Sequence, residues 1–258
     1  MGTNELSGKI ALVTGGTSGI GHAVAKRFAE AGAVVAVVGR NAEALANLES
    51  ELVQISPGSV TIAADITVDS NVQSLSDAIS SSFGRLDILV NAAGHISSGT
   101  IENTEIAAWD AMMNVNLRAV FNLMQSMVPL LEQRGGNIVN VSSVTGLRAF
   151  PGVLAYCVSK AGLDQLTRCA ALELASKGIR VNAVNPGVVV TEIHKRGGMS
   201  ETAYDAFLEH SKQTHPLGRV GSAEEVAELI LFLASDKASW ITGATYSIDG
   251  GRAQTCAR

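Results

Sequence analysis

The chain has 258 residues, of which 47% are hydrophobic and 17% charged, and this normal globular balance suits one large α/β domain or two small ones. Its net charge of −5 includes no block of like charge, which argues against a nucleic-acid or anionic-membrane surface, and no run approaches the roughly 20 apolar residues of a membrane span. The N-terminus lacks the apolar core of a signal peptide and the three cysteines lack metal-ligand spacing, so we expect a cytoplasmic protein without a bound metal.

The first predicted unit is a strand, a glycine-rich turn, a helix and a second strand. Residues 9–14 and 34–38 are continuous apolar runs, typical of strands buried on both faces, and residues 22–31 form an amphipathic helix. The turn reads G-x-x-x-G-x-G, with glycines at 15, 19 and 21. Glycine lets the backbone turn tightly and approach a ligand, and the helix N-terminus offers N–H groups to a pyrophosphate. In this context the turn favours nucleotide binding.

The end of the second strand indicates which dinucleotide is bound. A cofactor without a 2′-phosphate is usually held by an Asp or Glu about 20 residues beyond the glycines. This chain has Arg40 and Asn41 there and no acid before Glu43. Because the planar guanidinium of Arg40 can pair with a 2′-phosphate, the sequence favours NADP(H) over NAD(H). The alternative is an arginine at a helix start that binds no ligand.

Helices and strands alternate to the C-terminus. This alternation predicts a single α/β domain spanning residues 1–258, with one parallel sheet and helices on both faces. Residues 1–7 are predicted to form a tail, and residues 188–215, which are weakly periodic, a mobile substrate lid. The further predicted helices are 41–55, 68–83, 104–134 with a bend at Pro129, one ending near 176, and 222–234, and the further strands are 60–64, 86–90, 137–142, 180–184 and 244–248.

Polar residues follow two of these strands. Asp65, with Ile66, ends the third strand, and its carboxylate can either accept a hydrogen bond from an adenine amino group or cap the following turn. Asn91 follows the fourth strand, at an edge where open α/β sheets bind ligands. Its side chain is expected to brace the loop containing Ala92 and Gly94.

Tyr156 and Lys160 lie four positions apart in a predicted helix, so their side chains share one face. A nearby ammonium favours the phenolate and is expected to lower the tyrosine pKa from about 10. The hydroxyl can then exchange a proton with a substrate oxygen. Ser143, thirteen residues before the tyrosine, is placed to hold the same oxygen. Taken alone, a Tyr-x-x-x-Lys pair is also typical of a helix surface.

In combination these motifs resemble the short-chain dehydrogenase/reductase superfamily, over residues 8–251. The resemblance implies a seven-stranded Rossmann-type doubly wound sheet and hydride transfer between a nicotinamide and a carbonyl or alcohol. It also implies a catalytic tetrad in which Ser143 positions the substrate oxygen, Tyr156 exchanges its proton, Lys160 holds the cofactor ribose and Asn116 orders a proton-relay water. The thirteen-residue interval selects Ser143 over Ser142.

The same resemblance assigns the cofactor site. Val189 and Thr191 match positions that hold the nicotinamide carboxamide. In similar enzymes the residue before the second motif glycine is sometimes basic and helps to bind the 2′-phosphate; here it is Ser18, so the NADP(H) prediction rests on Arg40. The predicted cofactor residues are Gly15, Thr17, Ser18, Gly19, Ile20, Gly21, Arg40, Asn41, Asp65, Ile66, Asn91, Ala92, Gly94, Tyr156, Lys160, Pro186, Gly187, Val189 and Thr191.

The candidate substrate residues are mostly apolar, which suits a medium-sized ketone with a lipophilic part. The chain is similar overall to 3-oxoacyl-(acyl carrier protein) reductases and to generic carbonyl reductases. Arg148 is the nearest cation and is expected to face solvent, and His194 is either a second proton donor or an exposed loop histidine. The candidates are His95, Ile96, Val144, Leu147, Phe150, Val153, His194, Met199, Tyr204 and Phe207.

Three functions compete. An NADP(H)-dependent carbonyl reductase is favoured over an NAD-linked secondary-alcohol or sugar dehydrogenase. The third, a nucleotide-sensing protein without turnover, would be expected to have lost tetrad residues, and all four are present.

A homotetramer is also predicted. The helices near 114–134 and 154–176 carry more apolar residues than one buried stripe requires. Similar enzymes pair such helices across a two-fold axis, and two such contacts close a tetramer with D₂ symmetry. The alternative is that the extra apolar residues face the sheet of their own subunit, which could leave a monomer.

Overall fold

A computed structural model describes residues 4–255, and its centre is a sheet of seven parallel strands in the order β3-β2-β1-β4-β5-β6-β7. The winding direction reverses between β1 and β4, which opens a crevice at their carboxyl ends. This confirms the predicted α/β class and doubly wound sheet. The strands are β1 (Ile10–Thr14), β2 (Val34–Gly39), β3 (Val60–Ala63), β4 (Ile88–Asn91), β5 (Asn137–Val141), β6 (Arg180–Pro186) and β7 (Thr245–Ile248).

Helices cover both faces of the sheet. The α-helices are α1 (Gly19–Glu30), α2 (Ala42–Ile55), α3 (Asp69–Phe83), α4 (Ile106–Met113), α5 (Ala119–Leu131), α6 (Val144–Leu147), α7 (Leu154–Leu174), α8 (Ile193–Arg196), α9 (Glu201–Thr214) and α10 (Ala223–Ala234). Short 3₁₀ turns occupy Ala175–Lys177, Asp236–Ala238 and Arg252–Gln254.

The strands feed two separate cores because successive side chains point to opposite faces. In β1, Ala11 and Val13 pack with α1, α2 and α10, whereas Ile10 and Leu12 pack with α3, α5 and α7. Among residues 4–255 no helix is long and apolar enough to cross a membrane.

Three elements differ from their predictions. The described part of the predicted tail is packed, since Leu6 is fully buried and donates its N–H to the Ala31 carbonyl; residues 1–3 lie outside the described residues. The predicted lid contains two helices, α8 and α9. The predicted helix 104–134 is divided by a five-residue π-helical segment, Asn114–Arg118, and α5 continues through Pro129.

Candidate active site

A cleft of about 740 Å³ lies at the carboxyl ends of the strands. One end, which we call the nucleotide end, is lined by the glycine turn (residues 15–21), Arg40 and Asp65. The other, the catalytic end, is lined by Ser143, Tyr156 and Lys160, and residues of α8 and α9 also line the cleft. The cleft therefore joins the two motifs that the sequence singled out.

Close backbone contacts shape the glycine turn. Gly15 has φ +67°, and a Cβ on it would lie 2.8 Å from the Cα of Ala93. A Cβ on Gly21 would lie 2.4 Å from the Gly15 carbonyl oxygen. Thr14 links the turn to the next strand, because its hydroxyl accepts hydrogen bonds from the Ala92 and Ala93 N–H groups, both at 3.1 Å. A side chain on Gly15 or Gly21 would collide with these main-chain atoms, so the turn requires glycine at both positions.

The start of α1 has a donor set that suits a pyrophosphate. Its N-cap residue, Ser18, makes no side-chain hydrogen bond to the helix, so the first N–H groups remain available towards the cleft. The space that the glycines keep clear and these N–H groups together fit a dinucleotide phosphate at this end of the cleft.

Arg40 and Asp65 face each other across the nucleotide end. Asp65 caps its own turn: its Oδ1 accepts from the Thr67 N–H at 2.9 Å and from the Thr67 hydroxyl at 2.7 Å. These hydrogen bonds, with a smaller contribution from Arg40, hold the pKa of Asp65 below its usual value. Of the two roles considered for Asp65, turn capping is the one that this structure shows.

Three of the four predicted catalytic residues meet at the wall of the cleft. Ser143, Tyr156 and Lys160 are all buried and all line it. The Lys160 ammonium donates to the Val141 carbonyl at 2.9 Å and lies 5.7 Å from the centroid of the Tyr156 ring. Helix α7 presents the tyrosine and lysine one turn apart on the same face, as their spacing requires.

The expectation that Lys160 lowers the pKa of Tyr156 is wrong for this structure. Burial raises the pKa of Tyr156 to about 12, and a hydrogen bond with Ser143 only partly opposes this. Burial also lowers the pKa of Lys160 to about 8, opposed by the charge of Asp164. Tyr156 therefore keeps its proton at neutral pH and has a proton to give, but the raised pKa makes it a weaker acid than a free tyrosine.

Asn116 lies outside the cleft and is fully buried in the π-helical segment. Its side-chain oxygen accepts from the His95 N–H at 2.9 Å. Its amide nitrogen donates to the His95 carbonyl at 2.9 Å and to the Ser159 hydroxyl at 3.0 Å. The residue fixes the loop after β4 and the helix that carries Tyr156, so its contacts in this structure are those of a brace.

A buried amide network, absent from the sequence interpretation, lies under the catalytic end. The Asn185 amide donates both to the Ser143 carbonyl and to the Asp164 carboxylate, each at 2.9 Å. Burial removes water from the Asp164 carboxylate, and this desolvation raises its pKa. The Asn91 amide donates to Asn140 of β5 at 2.8 Å, so Asn91 braces the neighbouring strand and not the loop after β4, and it does not line the cleft.

Most predicted binding residues line the cleft, with five exceptions. Asn41 caps α2 by accepting from the Ala44 N–H, and Leu147 is exposed. Tyr204 is buried, with its hydroxyl bonded to both the N–H and the carbonyl of Thr191, so it supports the loop after β6. The predicted residues that do not line the cleft are Asn41, Asn91, Leu147, Met199 and Tyr204.

The lid contributes residues that the sequence interpretation missed. His210, Ser211 and Thr214 of α9 line the cleft beside the predicted Phe207. The spacing i, i+3, i+4 and i+7 marks one helical face, and this signal was available in the sequence. Residues 188–215 as a whole are only weakly periodic, so this face stands out only within residues 207–214.

His215, at the end of α9, supports the loop after β6. Its Nδ1 lies 2.7 Å from the Ser211 carbonyl and its Nε2 accepts from the Val188 N–H at 3.1 Å. This pattern corresponds to the neutral Nδ1–H form. The histidine thus ties the lid to the segment 186–191.

Two expectations about charged residues near the substrate are corrected. Arg148 does not face solvent: its guanidinium donates to the Ala253 carbonyl at 2.8 Å and also to the Thr255 carbonyl. His194 is not an exposed loop residue, because its ring packs 4.7 Å from that of Phe207 and burial lowers its pKa. Arg252 lies over the Phe150 ring at 5.0 Å, so the C-terminal segment closes one side of the cleft.

Sequence comparison finds relatives over almost the whole chain. The profile of a family described as Enoyl-(Acyl carrier protein) reductase matches residues 15–253. The 3-oxoacyl-(acyl-carrier-protein) reductase FabG of Thermotoga maritima is 42% identical over 249 residues, covering 96% of this chain and 98% of the relative. The 2,5-dichloro-2,5-cyclohexadiene-1,4-diol dehydrogenase LinX of Sphingobium indicum is 37% identical, covering 96% and 97%.

Structure comparison gives the same result. A short-chain type dehydrogenase/reductase from Mycobacterium marinum superposes with a TM-score of 0.89 at 34% identity, covering 98% of each chain. A short-chain dehydrogenase/reductase of unknown function from Caenorhabditis elegans, solved with cofactor, gives 0.91 at 35% identity, covering 97% of each.

Proposed function

This chain belongs to the short-chain dehydrogenase/reductase superfamily of oxidoreductases, and from that premise we propose that it reduces a ketone to a secondary alcohol with NADPH. The observation that carries the proposal is the position of a buried, protonated Tyr156 at one end of a cleft whose other end is a glycine turn. A proton donor and a dinucleotide site are the two requirements of carbonyl reduction.

The side chains at the catalytic end have separate tasks. Ser143 and Tyr156 face the cleft together, so their two hydroxyls can hold one substrate oxygen, and Tyr156 gives that oxygen its proton. Lys160 brings a cation to the same wall, where it can exchange its hydrogen bond to Val141 for one to a ribose hydroxyl. Positioning of this kind accounts for much of the rate enhancement in reactions between two bound partners.

The cofactor is placed by residues on both sides of the cleft. A bound nicotinamide dinucleotide supplies the hydride. The N–H groups at the start of α1 would hold its pyrophosphate, and segment 186–191, which His215 and Tyr204 support, would hold the nicotinamide. Arg40, exposed at the end of β2, would pair with the 2′-phosphate, and this is the basis for preferring NADPH.

The apolar walls at the catalytic end of the cleft favour a ketone with a lipophilic part. These walls include Ile96, Val144, Phe150, Val153 and Phe207. The description of the matching family names the reduction of an enoyl group, whereas the name of the Thermotoga maritima relative names the reduction of a 3-oxoacyl group. The tyrosine hydroxyl is suited to protonate an oxygen, so we favour the oxo group. The LinX relative makes an alcohol dehydrogenase the second candidate.

A substrate panel tests this proposal. Purified enzyme is assayed with 3-oxoacyl thioesters, simple lipophilic ketones, a 2-enoyl thioester and secondary alcohols, each with NADP(H) and NAD(H), by following absorbance of the reduced nicotinamide. We expect ketone reduction with NADPH to have the highest kcat/KM. Faster alcohol oxidation with NAD⁺ would establish the dehydrogenase instead, and turnover of the enoyl thioester alone would refute carbonyl reduction.

We also propose a cytoplasmic homotetramer built on the outer faces of α5 and α7. Phe121, Val158 and Leu172 are exposed on these helices, and Trp240, in the connection before β7, is 99% exposed. Two self-complementary contacts covering these side chains would close a D₂ assembly. Light scattering at micromolar concentration should give about four times the 26.7 kDa chain mass. A mass near that of one chain would refute the assembly.

A further inference from the structure

Arg196 of the lid reaches across the cleft to the glycine turn. Its Nη1 donates to the Ser18 hydroxyl at 2.8 Å, although the two residues are 178 positions apart in the chain. Both residues line the cleft. Arg196 ends α8, so this hydrogen bond joins the lid to the N-cap of α1 at the nucleotide end.

Within the described part of the chain, no carboxylate lies within ion-pair distance of the Arg196 guanidinium. Among residues 4–255, neither Arg196 nor Arg40 has an ion-pair partner, whereas the adjacent Lys195 pairs with Glu192 and Glu201. Arg196 and Arg40 both lie near His95, whose pKa is lowered first by burial and then by these two charges. Both guanidinium groups face one cleft outside ion-pair distance of the described carboxylates, and Asp65 offsets only part of the Arg40 charge, so together they form a site for an anion.

We propose that Arg196 is a second arginine for the 2′-phosphate of the cofactor and works together with Arg40. Ser18 stands where a basic residue would place its charge on that phosphate, and its hydroxyl instead holds Arg196. The lid thus brings to Ser18 the cation that this position lacks. This inference rests on the proposed use of NADPH.

The arrangement connects coenzyme choice to closure of the lid. The helix that carries Arg196 also carries Ile193 and His194, both of which line the cleft, and His194 is a candidate substrate residue. A phosphate held by Arg196 stabilises the lid position in which these side chains cover the substrate. A coenzyme without the phosphate leaves this contact unmade, so it is expected to bind with a less ordered lid.

Binding measurements test the proposal without relying on turnover. Dissociation constants for NADPH, NADH, 2′,5′-ADP and 5′-ADP are measured by calorimetry for the wild type and for Arg196→Gln. We expect the variant to weaken NADPH and 2′,5′-ADP roughly 10- to 100-fold, the usual effect of losing a charged hydrogen bond, and to change NADH and 5′-ADP less than about twofold. Lys195→Gln removes the same charge one residue away and should change none of them.

Two further variants make the result decisive. Arg196→Gln combined with Ser18→Arg should recover the preference for the phosphorylated ligands, because the cation is restored from the other side of the contact. Equal weakening of phosphorylated and unphosphorylated ligands by Arg196→Gln, or no weakening, overturns the proposal. Arg40→Ala distinguishes failure of this inference from failure of the proposed use of NADPH. If Arg40→Ala abolishes a clear NADPH preference of the wild type and Arg196→Gln does not, the role of Arg196 is refuted and the use of NADPH stands. A wild type without any preference refutes the proposed use of NADPH.

Discussion

At the nucleotide end of the cleft the walls are mainly backbone, whereas at the catalytic end side chains hold the walls in place. The glycine turn packs so closely that Cβ atoms on Gly15 or Gly21 would meet main-chain atoms of neighbouring segments. At the catalytic end, the main chain around Ser143 is positioned by the Asn185 amide, which in turn binds the Asp164 carboxylate.

This difference shows two ways of making a rigid site. A backbone wall depends on the absence of side-chain volume, so it tolerates almost no substitution at its glycines. A side-chain wall depends on hydrogen bonds between buried polar side chains, because removing one partner and leaving the other unpaired costs about 1–3 kcal/mol. We expect substitutions at the two ends to fail for different reasons, and the following predictions test that.

The largest effect is expected from Tyr156→Phe, which removes only the hydroxyl that we assign as proton donor. Turnover should fall by about 100- to 10,000-fold, the usual worth of general acid catalysis, while cofactor binding measured by calorimetry stays within about twofold. The matched control is Tyr246→Phe, on β7. Near-normal turnover in the Tyr156 variant would show that the hydroxyl at the catalytic end is not the proton donor.

Gly21→Ala tests the backbone wall. Its Cβ would lie 2.4 Å from the Gly15 carbonyl, so the turn must shift at a cost of roughly 1–3 kcal/mol and cofactor binding should weaken. Urea unfolding and calorimetry measure the two effects. Gly221→Ala, whose Cβ would lie 3.5 Å from a Val189 methyl group, is the control and should be nearly neutral. Equal effects of the two substitutions would show that the lack of room for a Cβ at Gly21 does not determine the stability or the cofactor binding of the turn.

Asn185→Ala tests the side-chain wall. It removes the amide donor of the Ser143 carbonyl and one of the donors of the buried Asp164 carboxylate, so the free energy of unfolding should fall by about 1–3 kcal/mol. Turnover should fall as well, because the Ser143 backbone is no longer fixed. Asn122→Ala, which removes an exposed hydrogen bond to Asp69, should cost less than about 0.5 kcal/mol. If the two variants unfold at the same urea concentration, the buried amide is not what holds this end together.

The effect that is smallest at neutral pH is a pH dependence at the catalytic end, which develops only above about pH 8. Burial lowers the pKa of Lys160 to about 8, so its cation is present below that pH and is lost above it, whereas the pKa of Tyr156, raised to about 12, keeps its proton through this range. The kcat/KM for NADPH should therefore decline above about pH 8, approaching tenfold per pH unit. Lys160→Arg keeps its charge and should remove the decline. A wild-type profile that stays flat to pH 10 would contradict this.

Much of this architecture is already present in local sequence patterns. The apolar runs, the helical periods, the glycine spacing and the Tyr156–Lys160 pair predict the sheet, the glycine turn and the two side chains that line the catalytic end, because each depends on residues close together in the chain. The same kind of pattern, Phe207 to Thr214, was present in the lid. The family resemblance extended this to the number of strands and the doubly wound arrangement of the sheet.

The remaining features depend on contacts between distant residues. The sequence contains Asn185, Asp164 and Arg196 without any sign of their partners, since Asn185 meets Ser143 across 42 positions and Arg196 meets Ser18 across 178. The sequence also suggested the wrong direction for the pKa of Tyr156, because spacing reveals the nearby lysine but not the depth of burial. Partner and burial are properties of the packed chain, and only the tertiary structure decided them.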